Sequence, residues 1–232
     1  MDSNKPYSYK LIFSTKPLDE VFLHKLVISE KVWEVVTGEL LGDGHINYHP
    51  IKPPNTNGRL EFTFSAKIID YVHYLKFNVL SSICTKSPLT PWPNKAGNPQ
   101  IRQYWFSTKR IWWISDLHKS WYKLIEGKYI KVISDNIENL LTPLAIAHWR
   151  MGDGYFSGSV LICTDNFTIA EVLCLIDILD RKFKLKAKLR ERKLLDNKLV
   201  WRIYINKSSL NDLKKLVLPY MIQEMLYKLG IK

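Results

Sequence analysis

The stretch WEVVTGELLGDGHI, residues 33–46, has a second copy later in the chain as LAIAHWRMGDGYF, residues 144–156. Each is an apolar segment of helical length that ends in Gly-Asp-Gly, at residues 42–44 and 152–154. One Gly-Asp-Gly alone is a common turn, and such short motifs match by chance. Two copies, each ending an apolar helix, indicate an internal duplication.

The similarity of the two halves continues downstream at an offset of 100 residues. Ile69 then falls on Ile169, and the segment IRQYW (101–105) falls on WRIYI (201–205). The two aspartates are 110 residues apart, so the first half carries an insertion before its sheet. We expect it in the loop HPIKPPNTNG (49–58), because Pro, Asn and Gly favour turns over regular structure.

The hydrophobic pattern predicts the same order of elements in both halves. Apolar residues at helical spacing predict helices at 33–42, 67–82, 144–152, 168–182, 208–218 and 220–229. Thr142 is the expected N-cap of the helix at 144–152, with Pro143 at the first helical position. Alternating apolar and polar residues predict strands at 59–65, 185–192 and 201–206.

These elements predict an α+β fold of two pseudo-symmetric αββαββα halves with antiparallel sheets. The expected divisions are an N-terminal extension at 1–30, a first half at 31–125, a linker at 126–142 and a second half at 143–232. The chain has 232 residues, of which 46% are hydrophobic, enough for a sizeable core. No apolar run approaches the roughly 18 residues that span a bilayer.

Charge indicates the kind of partner. The chain has 34 Lys and Arg against 22 Asp and Glu, a net charge of +12 and a pI near 9.5, as expected of a protein that binds a polyanion. Cys84, Cys163 and Cys174 form no CxxC, so we expect small buried residues rather than disulfides or a zinc ribbon. The N-terminus resembles neither a secretory signal nor an import peptide, which predicts use in the compartment of synthesis.

The Gly-Asp-Gly endings carry the expected chemistry. A carboxylate just past a helix C-terminus lies beside carbonyls that have no partner within the helix, which suits a hard divalent cation. Gly38 and Gly42 are four residues apart on one helix face, a spacing that allows two helix backbones to approach closely. The two helices are therefore predicted to pack together and bring both carboxylates to one place.

These residues resemble the two motifs of single-chain LAGLIDADG homing endonucleases, intron- or intein-encoded enzymes that cut double-stranded DNA. The resemblance covers residues 33–230 in the family's order and includes LTPLAIAHW (141–149) and LPYMIQEMLYKL (218–229). It implies motif helices at a pseudo-two-fold axis and two saddle-shaped sheets across the major groove. The chain departs from the motif at His148, Trp149, Leu41 and Met151.

Carried over position by position, the resemblance implies two carboxylate and two carbonyl metal ligands: Asp43, Asp153, Gly42 and Gly152. The family also has a catalytic basic residue near the end of each half. By position these are Lys131 and Lys228, with Lys128 an alternative to Lys131. The implied cofactor is Mg²⁺, with Mn²⁺ or Ca²⁺ able to occupy the same sites, and the implied products carry short 3′ overhangs.

Polar residues of the strands are predicted to bind DNA. Strands in the major groove can read bases, Arg suiting guanine and Asn adenine, while Lys contacts phosphates. Eight of the thirteen residues from Arg181 to Lys193 are basic, and alternation brings several of them to one sheet face. The predicted DNA-binding residues are Thr63, Ser65, Arg102, Tyr104, Lys186, Lys188, Arg190, Arg192, Arg202, Tyr204 and Asn206.

The sequence thus predicts a monomeric, Mg²⁺-dependent endonuclease of intron-homing type that cuts double-stranded DNA at a long asymmetric site. The alternatives are a maturase that binds intron RNA and a DNA-binding protein that no longer cleaves. Paired acids favour the nuclease, because a binding module does not need them. The resemblance implies an organelle, the mitochondrion ahead of the chloroplast. Zinc binding by His45 and His49 is disfavoured, and the eight tryptophans are expected mainly in the core.

Overall fold

The computed structural model describes residues 28–49, 57–93, 100–194 and 196–231. Most of the expected N-terminal extension and most of the expected insertion loop lie outside the described residues. Among the described residues, no helix is long and apolar enough to cross a membrane.

The first half follows the predicted order of elements. Its elements are α1 (Glu30–Leu41), β1 (His45–Asn47), β2 (Arg59–Ser65), a 3₁₀ turn (Ala66–Ile68), α2 (Ile69–His73), a π-helical segment (Tyr74–Val79), β3 (Thr90–Trp92), β4 (Gln103–Ser107) and α3 (Trp112–Trp121). The predicted helix at 67–82 is therefore present but changes type along its length. Strand β2 has the predicted alternation, with Leu60, Phe62 and Phe64 buried.

A hairpin and a short helix connect the halves: β5 (Tyr122–Ile125), β6 (Lys128–Lys131) and α4 (Ile137–Leu140). The hairpin turn is Glu126–Gly127, and both residues have positive φ, 49° and 76°. Two residues of positive φ are what a two-residue hairpin turn requires, and Gly127 supplies one of them without strain. The sequence pattern did not indicate this hairpin, whose first strand ends the predicted first half and whose second strand lies in the predicted linker at 126–142.

The second half repeats the order of the first. Its elements are α5 (Pro143–Asp153), β7 (Gly154–Phe156), β8 (Val160–Cys163), α6 (Ile169–Phe183), β9 (Ala187–Lys193), β10 (Leu199–Ile205), a 3₁₀ turn (Lys207–Ser209), α7 (Leu210–Val217) and 3₁₀ segments at Leu218–Tyr220 and Gln223–Leu229. The expected α-helix at 220–229 is thus a 3₁₀ segment. Thr142 caps α5 as predicted, its hydroxyl accepting from the Ala145 amide at 3.2 Å.

The two sheets have the same topology. Their strand orders are β1-β2-β4-β3 and β7-β8-β10-β9, with antiparallel pairing throughout. The central registers pair Phe62 with Phe106 in the first sheet and Ile162 with Ile203 in the second, and all four side chains are buried. The predicted α+β fold of two αββαββα halves is confirmed.

The motif helices α1 and α5 pack against each other through the small residues that the sequence singled out. A Cβ on Gly38 would lie 2.2 Å from the carbonyl oxygen of Ala145, and one on Gly42 would lie 3.0 Å from the Cβ of Asp153. Only hydrogen fits at Gly38, because the opposing atom belongs to backbone and not to a flexible side chain. The close approach of the two helices is therefore confirmed.

Two expectations about burial are only partly right. Trp113, Trp121 and Trp149 are core residues, but Trp92 is 64% exposed at the edge strand β3. Cys84 is buried, whereas Cys163 is half-buried and Cys174 is exposed on α6; all three are free thiols. Residue type alone did not reveal that Trp92 and Cys174 are exposed, since each lies on an element that has one face in solvent.

Candidate active site

The two motif aspartates meet at the C-terminal ends of α1 and α5. The position of a Cβ on Gly42, next to Asp43, is 3.0 Å from the Asp153 Cβ, so the two Gly-Asp-Gly segments are in contact. Burial, followed by the charge of Asp43, raises the pKa of Asp153 to about 7. Burial and the neighbouring Glu39 likewise raise the pKa of Asp43. Two carboxylates are thus held together where a cation would stabilise both.

One lysine from each half lies beside each aspartate. Lys131 Nζ donates to the carbonyl oxygens of Gly42, at 2.9 Å, and Gly44, at 2.7 Å. Lys228 Nζ donates to the carbonyl oxygens of Met151 and Gly152, the latter at 3.1 Å. These bonds satisfy carbonyls at each helix end that have no partner within the helix.

Burial lowers the pKa of both lysines to about 8, against the raising effect of the two aspartates. Arg150, itself fully buried, contributes to the lowered pKa of Lys228. Lys128, the alternative to Lys131, is exposed on the hairpin at β6. The two candidate lysines in direct contact with the motif ends are therefore Lys131 and Lys228.

The donors at this site fit a divalent cation. The described residues contain no cluster of three or more His, Cys, Asp and Glu side chains that could hold a metal, so a cation here would depend on two carboxylates and on carbonyls. Such hard oxygen donors, completed by water, are what Mg²⁺ and Ca²⁺ prefer. The carbonyls of Gly42 and Gly152 each retain a second lone pair beyond the lysine contact.

Glu39 is a buried acid that the sequence analysis missed. Its Oε1 accepts hydrogen bonds from the Tyr71 hydroxyl and from His148 Nδ1, the latter at 3.2 Å across the helix interface. Its carbonyl oxygen accepts the Gly44 amide at 2.8 Å, which shapes the turn that carries Asp43. The available signal was an acidic residue within the otherwise uncharged run VVTGELL (35–41), three positions before Gly42.

The second sheet presents the predicted basic face. In the strand register Arg190 lies opposite Arg202, and Arg202 lies opposite Cys163, so these three side chains share one face of the sheet. The Cys163 thiol on this face donates a hydrogen bond to Asp153. This face is therefore continuous with the aspartates. Its strand residues Lys188, Arg190 and Arg192 are exposed, and so is Lys186 just before β9; Tyr204 and Asn206 are half-buried. The Arg190 guanidinium lies 5.6 Å from the centre of the Tyr204 ring.

Arg202 corrects one detail of the prediction. It lies on the predicted face but is only 6% exposed, not outward-facing. Its Nε and Nη2 donate to the Asp165 carboxylate at 2.8 and 2.6 Å, and its Nη1 lies 3.4 Å from the Tyr155 hydroxyl. Burial of a guanidinium requires such a partner, which the strand pattern alone did not reveal.

The first sheet corrects a second detail. Thr63 and Ser65 lie on the exposed face of β2, as predicted. Tyr104 pairs with Phe64 and therefore lies on the core side of the sheet; Arg102 is exposed but precedes β4. The error follows from the offset of 100, which relates β2 to β8 but not β4 to β10, where Trp105 corresponds to Arg202 at an offset of 97. A shift by an odd number of residues moves a side chain to the opposite face of a strand.

The exposed face of the first sheet instead carries residues that the sequence analysis did not select. Gln103 and Trp105 pair with Ser65 and Thr63 across β2 and β4. Glu61, on the same face, accepts from Asn47 Nδ2 at 3.0 Å and forms an ion pair with Arg59 at 2.6 Å. The charged side chains of this face thus neutralise each other. On the second sheet Lys186 and Arg202 pair with Asp180 and Asp165, whereas Lys188, Arg190 and Arg192 form no ion pair within the part of the chain that the structure describes.

Comparisons with known proteins identify the family of the chain. The sequence profile of the LAGLIDADG DNA endonuclease family matches residues 33–213. The intron-encoded endonuclease ai4 of Dictyostelium discoideum is 41% identical over 113 residues, 48% of this chain and 69% of that protein. The cytochrome b mRNA maturase bI2 of Debaryomyces hansenii is 30% identical over 218 residues, 93% of this chain and 76% of that protein.

Solved structures give the same result. The homing endonuclease I-WcaI bound to its DNA recognition sequence is 25% identical and superposes with a TM-score of 0.72, covering 94% of both chains. The homing endonuclease I-DmoI in complex with DNA and Ca shares the fold, with a TM-score of 0.51 over 82% of this chain and 90% of that one at 14% identity.

The fold and the paired motif ends define the class: a protein with two LAGLIDADG motifs on one chain. The chain belongs to the LAGLIDADG DNA endonuclease family.

Proposed function

We propose that this protein is a homing endonuclease that hydrolyses both strands of a specific DNA site in a reaction that depends on a divalent cation. The observation that carries the proposal is the contact of two Gly-Asp-Gly ends, each with its own lysine, where the edge strands β1 and β7 of the two sheets begin. Cutting two strands requires two sets of catalytic groups, and the duplicated half provides one for each strand.

Asp43 and Asp153 would hold the cation, together with the carbonyls of Gly42 and Gly152. A bound Mg²⁺, for which Mn²⁺ or Ca²⁺ could substitute in binding, would polarise the phosphodiester and stabilise charge on the attacking and leaving oxygens. Lys131 and Lys228 supply fixed positive charge beside the same carbonyls and stabilise the developing negative charge of the phosphate. Products with short 3′ overhangs belong to the same proposal.

The sheet faces supply recognition. The exposed cations Lys186, Lys188, Arg190 and Arg192 would contact phosphates and guanines on one half of the site. The first sheet, with Thr63, Ser65 and Gln103, would read the other half mostly through uncharged contacts. Because the two faces differ, the target is a long asymmetric duplex, bent over the aspartates.

We further propose that the protein acts as a monomer in an organelle, the mitochondrion ahead of the chloroplast. The monomer is supported by the presence of both motifs in one chain. The organelle is supported by the relatives named as intron-encoded endonuclease and as cytochrome b mRNA maturase.

A selection from a randomised duplex library tests the function. The purified chain is incubated with the library in Mg²⁺ or in EDTA, and cleaved ends are sequenced. We expect one long asymmetric motif, cut on both strands with short 3′ overhangs, in Mg²⁺ only. Enrichment of bound but uncut duplexes under both conditions would instead identify a DNA-binding protein without nuclease activity.

Intron RNA is a second candidate partner, because the relative that matches 93% of this chain is named as an mRNA maturase. A splicing assay with the intron that encodes the chain, with and without purified protein, tests this role. Faster splicing would add a maturase activity to the nuclease, and an unchanged rate would exclude it for that intron.

Substitution of one of two neighbouring lysines tests the catalytic assignment. Lys131→Met removes the charge beside Gly42 and Gly44, so we expect the single-turnover cleavage rate to fall about 100-fold. Lys128→Met is the matched control, since Lys128 is exposed on the same hairpin strand; its rate is expected to stay within about two-fold. Equal rates for the two variants would contradict the assignment.

The basic face predicts a change in salt dependence. Arg190→Ala is expected to weaken DNA binding and to reduce the slope of log affinity against log salt by about one unit. Lys193→Ala is the control, because Lys193 is exposed on the same strand but alternation directs it to the opposite face. Fluorescence anisotropy at several salt concentrations measures both slopes. An unchanged slope for Arg190→Ala would exclude the phosphate contact.

A further inference from the structure

The two metal-binding aspartates are in different surroundings. Burial raises the pKa of both carboxyl groups, but Asp153 is the more enclosed of the two and accepts a hydrogen bond from the Cys163 thiol of β8, whereas Asp43 keeps more contact with solvent. In the first sheet the residue at the position of Cys163 is Thr63, because β1 pairs with β2 in the same register, counted from the motif, as β7 pairs with β8. The internal duplication therefore did not produce two identical centres.

The difference extends to the next strand. Arg202 lies directly opposite Cys163, and both its Nε and Nη2 are bonded to Asp165, in the loop after β8. The corresponding residues of the first half are Trp105, opposite Thr63, and Ser65. Among the described residues, only the second half thus has a buried ion pair beside Cys163, the residue whose thiol is bonded to the metal-binding Asp153.

The charges constrain what this ion pair can do. Arg202 cannot lose its proton, and its buried guanidinium must have an anionic partner. Asp165 is close enough to both metal-binding aspartates to raise their pKa values, so Asp165, Arg202 and Asp153 form one electrostatic cluster. Without Asp165, the guanidinium would remain opposite Cys163, whose thiol is bonded to the Asp153 carboxylate.

We propose that the Asp165–Arg202 ion pair is a positioning device for the second cleavage centre only. Asp165 holds the guanidinium on the sheet face and away from the Asp153 carboxylate, which keeps that carboxylate available to its cation. The inference rests on the proposed function and deepens it, because it makes the two DNA strands depend on different groups.

Strand-resolved cleavage of a duplex labelled on both strands tests the proposal. In Asp165→Asn we expect one strand to be cut about ten-fold more slowly and the other to change less than about two-fold, so that nicked duplex accumulates. In Asp165→Asn/Arg202→Gln the misplaced cation is removed, and the strand ratio is expected to return toward that of the unsubstituted chain. Glu138→Gln, which breaks an exposed ion pair with Arg181 on distant helices, is the control and should leave the ratio unchanged.

A second readout does not depend on cleavage. Calorimetric titration of Ca²⁺ into the protein–DNA complex should show a lower affinity in Asp165→Asn, by about ten-fold at one site, and recovery in the double variant. The strand ratio is independent of the amount of folded protein. If Asp165→Asn does not fold, Asp165→Glu should shift the ratio in the same direction by a smaller factor.

The outcomes separate this inference from the proposed function. An unsubstituted chain that cuts neither strand overturns both. If that chain cuts both strands but Asp165→Asn slows them equally, or leaves their ratio and the Ca²⁺ affinity unchanged, the positioning role is wrong and the nuclease stands. Failure of the second substitution to restore the ratio also rejects the role assigned to Arg202.

Discussion

Asp153→Asn is expected to abolish double-strand cleavage while DNA affinity stays within about three-fold of the unsubstituted chain. The amide retains the shape of the side chain but removes one of the two charges that would hold the cation. Asp43→Asn is expected to have the same effect, because the two carboxylates meet at one place. Cleavage of a plasmid carrying the selected site and anisotropy in Ca²⁺ measure the two properties.

The same variant should be more stable than the unsubstituted chain in the absence of metal. Burial and the charge of Asp43 raise the pKa of Asp153 to about 7, above the value of about 3.9 for an unfolded Asp. The folded chain then binds more protons than the unfolded chain between these pH values, so its free energy of unfolding falls as pH rises through this range. In Asp153→Asn this fall in the free energy of unfolding should be absent. Urea denaturation at pH 4 and pH 8 in EDTA measures it for both proteins.

Exposed aspartates provide the control. Asp177→Asn, on the exposed side of α6, should change neither the cleavage nor the pH dependence of stability. Full cleavage by Asp153→Asn would show that Asp153 is not a catalytic residue. Loss of cleavage together with loss of stability in EDTA would indicate a misfolded protein and contradict the raised pKa.

Gly38→Ala is expected to lower the free energy of unfolding by about 2 kcal/mol, although Ala favours a helix over Gly by about 1 kcal/mol. The reason is the helix interface: the new Cβ would lie 2.2 Å from the Ala145 carbonyl oxygen and 3.0 Å from the His148 Cβ. One helix must shift, which separates the two motif ends and should also slow cleavage. Urea denaturation measures the stability.

Gly152→Ala is the matched control within α5. Its Cβ would lie 3.6 Å from the nearest atom, a ring carbon of Phe64, which is ordinary van der Waals contact. The helix preference is then not opposed, so stability should stay the same or rise by up to about 1 kcal/mol. A Gly38→Ala protein that is as stable as the Gly152→Ala protein would contradict the close packing of the motif helices.

Repetition made most of the fold predictable. The two Gly-Asp-Gly segments identified both motif helices, and strand β2 follows the alternation of its sequence residue by residue. The π-helical segment at Tyr74–Val79 and the 3₁₀ segment at Gln223–Leu229 were not predicted. Their apolar spacing is that of any helix, and the choice among helix types depends on tertiary packing.

The site was less predictable than the fold. The aspartates have fixed positions within the motifs and the lysines follow from the family resemblance, but Glu39, Cys163 and Asp165 reach the same place through packing between elements distant in sequence. Tyr104 shows why the residues on each sheet face were harder to predict from the sequence. The offset between the halves changes by three residues from β2 to β4. A shift of three keeps a side chain near the same face of a helix but moves it to the opposite face of a strand.

Anomalous diffraction from a crystal of the protein with its selected duplex and Mn²⁺ tests the central claim most directly. The account predicts Mn²⁺ peaks about 2.0–2.5 Å from carboxylate oxygens of both Asp43 and Asp153, between the helix ends and the backbone of the duplex. Peaks bound by neither aspartate, or a duplex lying away from the two sheet faces that border them, would contradict it.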